Sequence, residues 1–245
     1  MRQLEICQGE LTLVMDTQGP RKGPTLLFLH AGGETRSVWN PLFSRLRPKH
    51  WQLIAPDLRG HGESTGASEY LFDDYVNDAF QVIRHLTGRP LVVVGNAIGG
   101  LVALMLAQRY PKMIDGLVLL NAPTRLGMAA AERERSNMLE ALRQQAALFP
   151  QLNPEKAATQ LVEDIMSDPQ RLARAARSVC VPTLFMHASK SPVVGDEELL
   201  ALRQDIPHVE VEQVKAGQMM VQDNPQAIAN AIARFVPELI PEIIH

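Results

Sequence analysis

Two histidines and one glycine-rich turn are the features of this sequence whose residue types could do chemistry. His30 and His187 each follow a short apolar run, and an imidazole takes up or releases a proton near neutral pH. Residues 95–100 (GNAIGG) follow another apolar run, and their small side chains permit a turn in which the backbone is crowded. If the apolar runs are parallel strands, all three segments belong at the carboxyl end of the sheet, where sites lie in open α/β folds.

Short apolar runs alternate along the chain with longer helical patterns, which is typical of parallel strands joined by crossover helices. We predict such strands at residues 25–30, 52–55, 91–95, 116–121, 183–187 and 209–214. An antiparallel hairpin is predicted before them, with strands at 3–7 and 11–15. The predicted helices cover residues 38–46, 72–86, 97–109 and 225–235. The pattern therefore indicates an α/β fold with a mostly parallel sheet and an antiparallel edge.

Between residues 124 and 177 the alternation stops, and the chain is rich in Ala, Glu, Arg, Gln and Leu. This composition predicts a helical insertion that separates residues 1–123 from residues 178–245. The charged run at residues 132–135 (ERER) is interpreted as a solvated helix face. The acidic run at residues 196–198 is interpreted as the start of a helix, because carboxylates favour the N-terminal end of the helix dipole.

Composition excludes several classes of partner. The 245 residues include 24 Lys plus Arg and 27 Asp plus Glu, so the chain has no basic footprint for nucleic acid or for an anionic membrane. The two cysteines, Cys7 and Cys180, cannot form a disulfide framework or a Cys-x-x-Cys metal site. The N-terminal 16 residues lack the apolar core of a signal peptide. We therefore expect a cytoplasmic protein with a small-molecule ligand or substrate and no cofactor or metal, and nothing in the sequence indicates an oligomeric state.

Five segments resemble, in order, those of the alpha/beta-hydrolase fold superfamily. They are the oxyanion-loop-like residues 30–33 (HAGG), the loop 56–64 (PDLRGHGES), the elbow-like residues 95–99, the penultimate strand 182–187 and the start of the last helix at 223–225. The resemblance implies a mostly parallel eight-stranded sheet with helices on both faces. It also implies that residues 124–177 form a cap, or lid, over a core made of residues 1–123 and 178–245.

The positions that carry the family's Ser-His-Asp triad hold other residues in this chain. The nucleophile elbow G-x-S-x-G has Ala97 in place of the serine, and a methyl group cannot attack a carbonyl. The position of the acid holds Ser191, and the alternative position one strand earlier holds Asn121. The position of the base holds Gln218, whose amide cannot accept a proton at neutral pH. The resemblance thus implies a degenerate triad and no conventional serine hydrolase.

Backbone donors of the family's oxyanion hole do not depend on the substituted side chains. The resemblance implies that they come from Ile98 and from the loop at Ala31 and Gly32. Asn96 and Met219 are further candidates for contact with a ligand. Their alternatives are structural, since Asn96 could brace the turn and Met219 could simply fill a gap.

Three functions remain open. The first is an enzyme that uses the pocket and oxyanion hole for a non-hydrolytic reaction of a small organic molecule, such as proton transfer, cyclisation, elimination or rearrangement. The second is a pseudoenzyme that binds a ligand or a protein partner, and the third, disfavoured, is a hydrolase with relocated groups. If the chain is a catalyst, His30 and His187 are the candidate proton-transfer residues, although each could instead hold loop backbone by a hydrogen bond.

Rebuilding the triad tests this assignment of positions. Ala97→Ser alone should give no useful esterase, because a hydroxyl without a base stays protonated near pH 7. Adding Gln218→His and then Ser191→Asp should raise the hydrolysis of p-nitrophenyl esters, with most of the gain appearing only when Ser and His are both present. Esterase rates of the single, double and triple variants measure this. A folded triple variant with no gain over the native chain would contradict the assignment or show a remodelled pocket.

Overall fold

Eight strands form one sheet in the computed structural model, which describes residues 1–46, 51–86, 88, 90–217 and 219–238. The strands are β1 Arg2–Gln8, β2 Leu11–Gln18, β3 Thr25–Leu29, β4 Gln52–Pro56, β5 Leu91–Asn96, β6 Gly116–Leu120, β7 Thr183–Ala188 and β8 Glu210–Val214. Their order in the sheet is β1-β2-β4-β3-β5-β6-β7-β8. Strand β2 pairs antiparallel with both of its neighbours, β1 and β4. All other pairs in the sheet, from β4-β3 to β7-β8, are parallel. The predicted eight-stranded, mostly parallel sheet with an antiparallel edge is confirmed.

Nine α-helices lie in the described part of the chain. They are α1 Asn40–Leu46, α2 Phe72–Arg84, α3 Ile98–Arg109, α4 Met128–Ala146, α5 Pro154–Ser167, α6 Arg171–Arg177, α7 Asp196–Asp205, α8 Met220–Asp223 and α9 Pro225–Glu238. A 3-10 turn, Arg36–Trp39, precedes α1. The predicted helix start at the acidic run is confirmed, because the Glu198 carboxylate accepts a hydrogen bond from the Gly195 N–H at 2.9 Å as α7 begins. None of the described helices has the length and hydropathy that a membrane span requires.

The central strands are buried on both faces, which explains their continuous Val and Leu runs. Successive residues of β3 alternate between two apolar clusters, with Leu27 on one side of the sheet and Phe28 on the other. Helices α2 and α3 contribute to the first cluster, and α1 and α9 to the second. Strand β8 is more exposed and starts one residue later than predicted, as suits a strand at the sheet edge.

Residues 124–177 contain three helices and no strand. Helix α4 packs against α5, and α5 also contacts α2. Helix α6 packs against α3 and α7, beside the sheet. The division of the chain into a core and a cap at residues 124–177 stays a prediction. Within this segment, α4 and α5 contribute residues to the site described below.

Close packing of α3 on β3 depends on a glycine. A Cβ at Gly99 would collide with the backbone carbonyl of Leu29, and a carbonyl in a paired strand cannot move aside. Gly99→Ala should therefore destabilise the fold by about 1–3 kcal/mol. Gly127→Ala is the matched control, because a Cβ there meets no atom within 4 Å, and it should cost less than about 1 kcal/mol. Chemical denaturation of both variants measures the difference, and equal stabilities would contradict this packing.

Candidate active site

A strained turn joins β5 to α3 at Ala97. Its backbone has φ 45° and ψ −115°, a left-handed conformation that side-chain-bearing residues adopt at a cost of about 1–3 kcal/mol. A Cβ on Gly95 would collide with the backbone of Gly99 and Gly100, and a Cβ on Gly100 would collide with the Ala122 side chain. The predicted helix start at Ala97 moves to Ile98, because Ala97 itself forms the turn. The sharp strand-to-helix elbow is thus present, with an alanine at its apex.

A cavity of about 280 Å³ opens beside Ala97 at the carboxyl end of the sheet. Its wall comes from residues 31–34, 96–97 and 191–193, from Asn121 and Met219, and from Glu134, Asn137 and Ala141 of α4. A narrow apolar cleft of about 20 Å³ adjoins it, between the elbow and Val162 and Ile165 of α5. The two spaces share four residues, Ala97, Asn121, Glu134 and Val193, so they form one site with a polar part and an apolar part.

Side chains at the two candidate acid positions hold the backbone of neighbouring loops. The Ser191 hydroxyl oxygen accepts hydrogen bonds from the N–H groups of Val193 at 3.2 Å and Val194 at 3.0 Å. The Asn121 amide oxygen accepts one from the Ala188 N–H at 3.0 Å, and Asn121 has a positive φ of 48°. Gln218 lies outside the described residues. The contacts of Ser191 and Asn121 are those of polar residues that order loops at the rim of the cavity.

The candidate oxyanion donors differ in availability. The Ala31 N–H donates to the Glu34 carboxylate at 3.0 Å, so it is already engaged. Gly32 lines the cavity, and among the described residues its N–H has no hydrogen-bond partner. Ile98 is the first residue of α3, where a backbone N–H has no acceptor within the helix. Gly32 and Ile98 are therefore the donors that a ligand oxygen could use.

Asn96 and Glu34 form a bonded pair at the mouth of the cavity. The Asn96 amide nitrogen donates to Oε2 of Glu34 at 3.2 Å, the same oxygen that accepts from the Ala31 N–H. Gln145 of α4 adds a contact to this loop by donating to the Gly33 carbonyl at 2.6 Å. The Asn96 side chain thus braces Glu34 in the loop after β3 and not the turn at Ala97, and because it also lines the cavity its contact with a ligand stays a prediction. Glu34 itself carried no signal in the sequence.

Glu134 faces the cavity and the cleft, where the sequence analysis placed a solvated helix face. The prediction is wrong for this residue, because Glu134, Asn137, Met138 and Ala141 lie on one face of α4 that covers the elbow. Burial raises the pKa of the Glu134 carboxyl; the Arg133 charge opposes this rise, and the Glu34 charge adds to it. No other described residue forms a hydrogen bond or an ion pair with the Glu134 carboxyl. The i, i+3, i+4, i+7 spacing of these four residues was the signal available.

His30 and His61 brace loops beneath the site. His30 accepts a hydrogen bond from the Leu58 N–H at 2.9 Å through Nε2 and donates to the Ala31 carbonyl through Nδ1. His61 accepts from the Gly33 N–H at 3.0 Å, and its ring lies edge-on to that of His30. Burial lowers the pKa of His30 to about 4 and that of His61 to about 3. Both rings are therefore neutral near pH 7, and neither lines the cavity.

His187 lies in β7, beside the ring of Phe185. Burial lowers the pKa of His187, and its side chain is not part of the cavity wall described above. The assignment of His30 and His187 as proton-transfer groups stays a prediction. The hydrogen bonds of His30 favour its structural alternative, whereas the buried Nδ1 of His187 has no hydrogen-bond partner among the described residues. Within the described residues, no group of three or more His, Cys, Asp and Glu side chains could hold a metal ion.

Comparison with known proteins relates this geometry to a family. Residues 24–162 match the alpha/beta hydrolase fold family. This chain belongs to that family. Among solved structures, E-2-(acetamidomethylene)succinate hydrolase is similar with a TM-score of 0.83 at 22% identity, over 96% of this chain and 98% of that one. The enol-lactonase from Burkholderia xenovorans LB400 is similar with a TM-score of 0.75 at 20% identity, over 98% and 100%. At these identities the likeness shows the fold.

Curated relatives match this family member over different lengths. The 3-oxoadipate enol-lactonase 2 of Acinetobacter baylyi is 25% identical over 91% of this chain and 92% of its own length. The serine hydrolase-like protein of Danio rerio is 34% identical, but the match covers 42% of this chain and 32% of that protein. Uncharacterized mycobacterial proteins are 33% identical over 29% of their length. The chain thus spans about a third of these last relatives.

The buried, neutral His30 and His61 make the free energy of unfolding depend on pH. A histidine whose folded pKa is lowered binds protons more readily in the unfolded chain, so stability falls as pH drops from about 6.5 towards 4. For His30 the loss is on the order of 3 kcal/mol. His30→Gln should therefore flatten the dependence of unfolding free energy on pH in this window. Denaturation at a series of pH values measures the slope.

The control for this measurement is His208→Gln, which replaces an exposed imidazole. The slope should match that of the native chain in this control. A His30→Gln variant with an unchanged slope would show that His30 does not lie neutral and buried.

Proposed function

We propose that this chain catalyses proton transfer on a small organic molecule with a carbonyl or similar acceptor, without a covalent intermediate. The observation that carries the proposal is the unpaired carboxyl of Glu134, which faces a cavity at an elbow whose apex is Ala97. A carboxyl in a partly desolvated pocket is a typical general acid or base, because burial moves its pKa towards the working pH.

The proposed step needs two kinds of group. The Glu134 carboxylate takes a proton from the carbon next to the carbonyl. The electron pair of that C–H bond forms a C=C bond, and the π pair of the carbonyl moves to its oxygen. The N–H groups of Ile98 and Gly32 stabilise the negative charge that develops there. Return of the proton at another atom completes an isomerisation, and loss of a leaving group completes an elimination. No bond to the protein forms at any stage.

Family membership and the names of its relatives support a small organic substrate, and the residues of this site argue against acyl transfer. Ala97 has no nucleophilic atom, and the hydroxyl oxygen of Ser191 already accepts two backbone hydrogen bonds. A serine acts as a nucleophile through a neighbouring base, and none of the described residues bonds to the Ser191 hydroxyl in that role. A lactonase or other hydrolase mechanism through an acyl-enzyme therefore lacks its first step.

Base-promoted elimination of 5-nitrobenzisoxazole is the test, because this probe needs only a base that removes its C–H proton and a donor for the phenolate oxygen that leaves. Glu134→Gln should lower the rate by about 10²- to 10⁴-fold. The native rate should rise with pH through a midpoint above the ordinary pKa of glutamate, since the ionised carboxylate is the base and burial raises its pKa.

Glu140→Gln is the matched control, because Glu140 is an exposed residue of the same helix that contacts Gln144. It should leave the elimination rate unchanged. A Glu134→Gln variant that retains the native rate would contradict the proposal. A native protein that binds the probe without converting it would favour a pseudoenzyme that only binds its ligand.

A further inference from the structure

The cavity at the elbow carries an unbalanced charge. Glu34 and Glu134 both contribute carboxyls to its wall, and no Lys, Arg or His belongs to the wall in the described part of the chain. Arg36 is paired with Asp57 and Glu63. Arg133 is exposed and donates to the carbonyl of Pro192, a residue of the cavity wall, at 2.8 Å, so its charge offsets part of the charge of the two carboxylates and leaves the site net negative.

One carboxylate oxygen of Glu34 is hydrogen-bonded, and the other is not bonded to any described residue. Its Oε2 accepts from the Ala31 N–H at 3.0 Å and from the Asn96 amide at 3.2 Å, which fixes the carboxylate against the loop after β3. No hydrogen bond joins its Oε1 to any other described residue. A positioned carboxylate with a free oxygen in a cavity wall is suited to bind a cationic hydrogen-bond donor.

Asn121 supplies an independent indication of a ligand. Its side chain is more than nine-tenths buried and lies where the cavity meets the apolar cleft. The amide oxygen is used by the Ala188 N–H, whereas the amide nitrogen has no hydrogen-bond partner among the described residues. This nitrogen is not among the fully buried side-chain atoms that lack a partner in the described residues, so it retains contact with the cavity, where an acceptor atom of a ligand would bond to it.

We propose that the site selects a substrate that bears a protonated amine, with Glu34 as its ion-pairing residue and Asn121 as donor to a neutral acceptor atom, and that it rejects anionic substrates. The inference deepens the proposed function by naming the charge class of its substrate. The carboxylates of Glu34 and Glu134 would both repel a ligand carboxylate, and burial strengthens that repulsion because the effective dielectric constant is lower than in water. An ammonium group is attracted by the same two charges.

A matched series of esters tests the charge preference. Ethyl 4-aminobutyrate, ethyl pentanoate and monoethyl glutarate have the same ester group and similar length, and at pH 7 they are cationic, neutral and anionic. Calorimetric titration of the full chain should give a Kd for the cationic ester about tenfold lower than that for the neutral ester, with no binding of the anionic ester. Glu34→Gln keeps an oxygen for the Ala31 and Asn96 donors and should reduce the preference to about threefold or less.

Glu140→Gln again serves as the control and should keep the native preference. The proposal is overturned if the cationic ester binds no better than the neutral one, including the case in which neither binds, or if the anionic ester binds best. It is also overturned if Glu34→Gln retains the full preference. Because titration measures binding and not turnover, the preference can hold while elimination of the benzisoxazole fails, or the reverse, so the two proposals fail separately.

Discussion

The left-handed backbone at Ala97 is the constraint on which the site depends. This turn reverses the chain between β5 and α3 within one residue. Glycines at positions 95, 99 and 100 make it possible, because a Cβ at any of them would keep α3 from packing against the sheet. The same turn leaves the N–H of Ile98 free at the start of α3. A chain in which this turn relaxed would lose the position of α3 and the backbone donor together. The strained turn is thus present although the side chain at its apex has no nucleophilic atom.

Helix α4 covers the elbow and forms part of the cavity wall. Met138 packs over Gly32, and Gln145 bonds to both the Gly33 carbonyl and the Gly62 N–H, so this helix is tied to the loops after β3 and β4. That attachment brings Glu134 over the cavity, where no other described residue forms a hydrogen bond or an ion pair with its carboxyl. An unpaired, partly buried carboxyl is costly for folding. Such a cost is commonly found where the group acts on a ligand, which is why the charge of this cavity supports both proposals.

The sheet was predictable because its central strands are buried on both faces, which requires continuous apolar runs such as Leu91 to Val94. The elbow was predictable because a crowded strand-to-helix turn requires glycines, and the sequence has them at positions 95, 99 and 100.

Glu134 was missed because its charged neighbours were interpreted by composition, although its helical spacing with Met138 and Ala141 indicated a covered face. Glu34 was not predictable, since its role comes from contacts with Ala31 and from Asn96, 62 positions away in the chain. His30 follows a strand as predicted, but only the structure shows both ring nitrogens bonded to backbone.

Titration of the Glu134 side-chain carboxyl by ¹³C NMR reports whether this group is unpaired and desolvated beside the elbow, as its proposed role requires. Protein labelled at glutamate carboxyls would be titrated, and the Glu134 resonance assigned by its loss in Glu134→Gln. We expect a midpoint above the ordinary glutamate value of about 4.3, because burial and the Glu34 charge both raise the pKa of the Glu134 carboxyl. A midpoint at or below the ordinary value would mean that Glu134 is solvated or paired with a cation, and would contradict its role as a desolvated base.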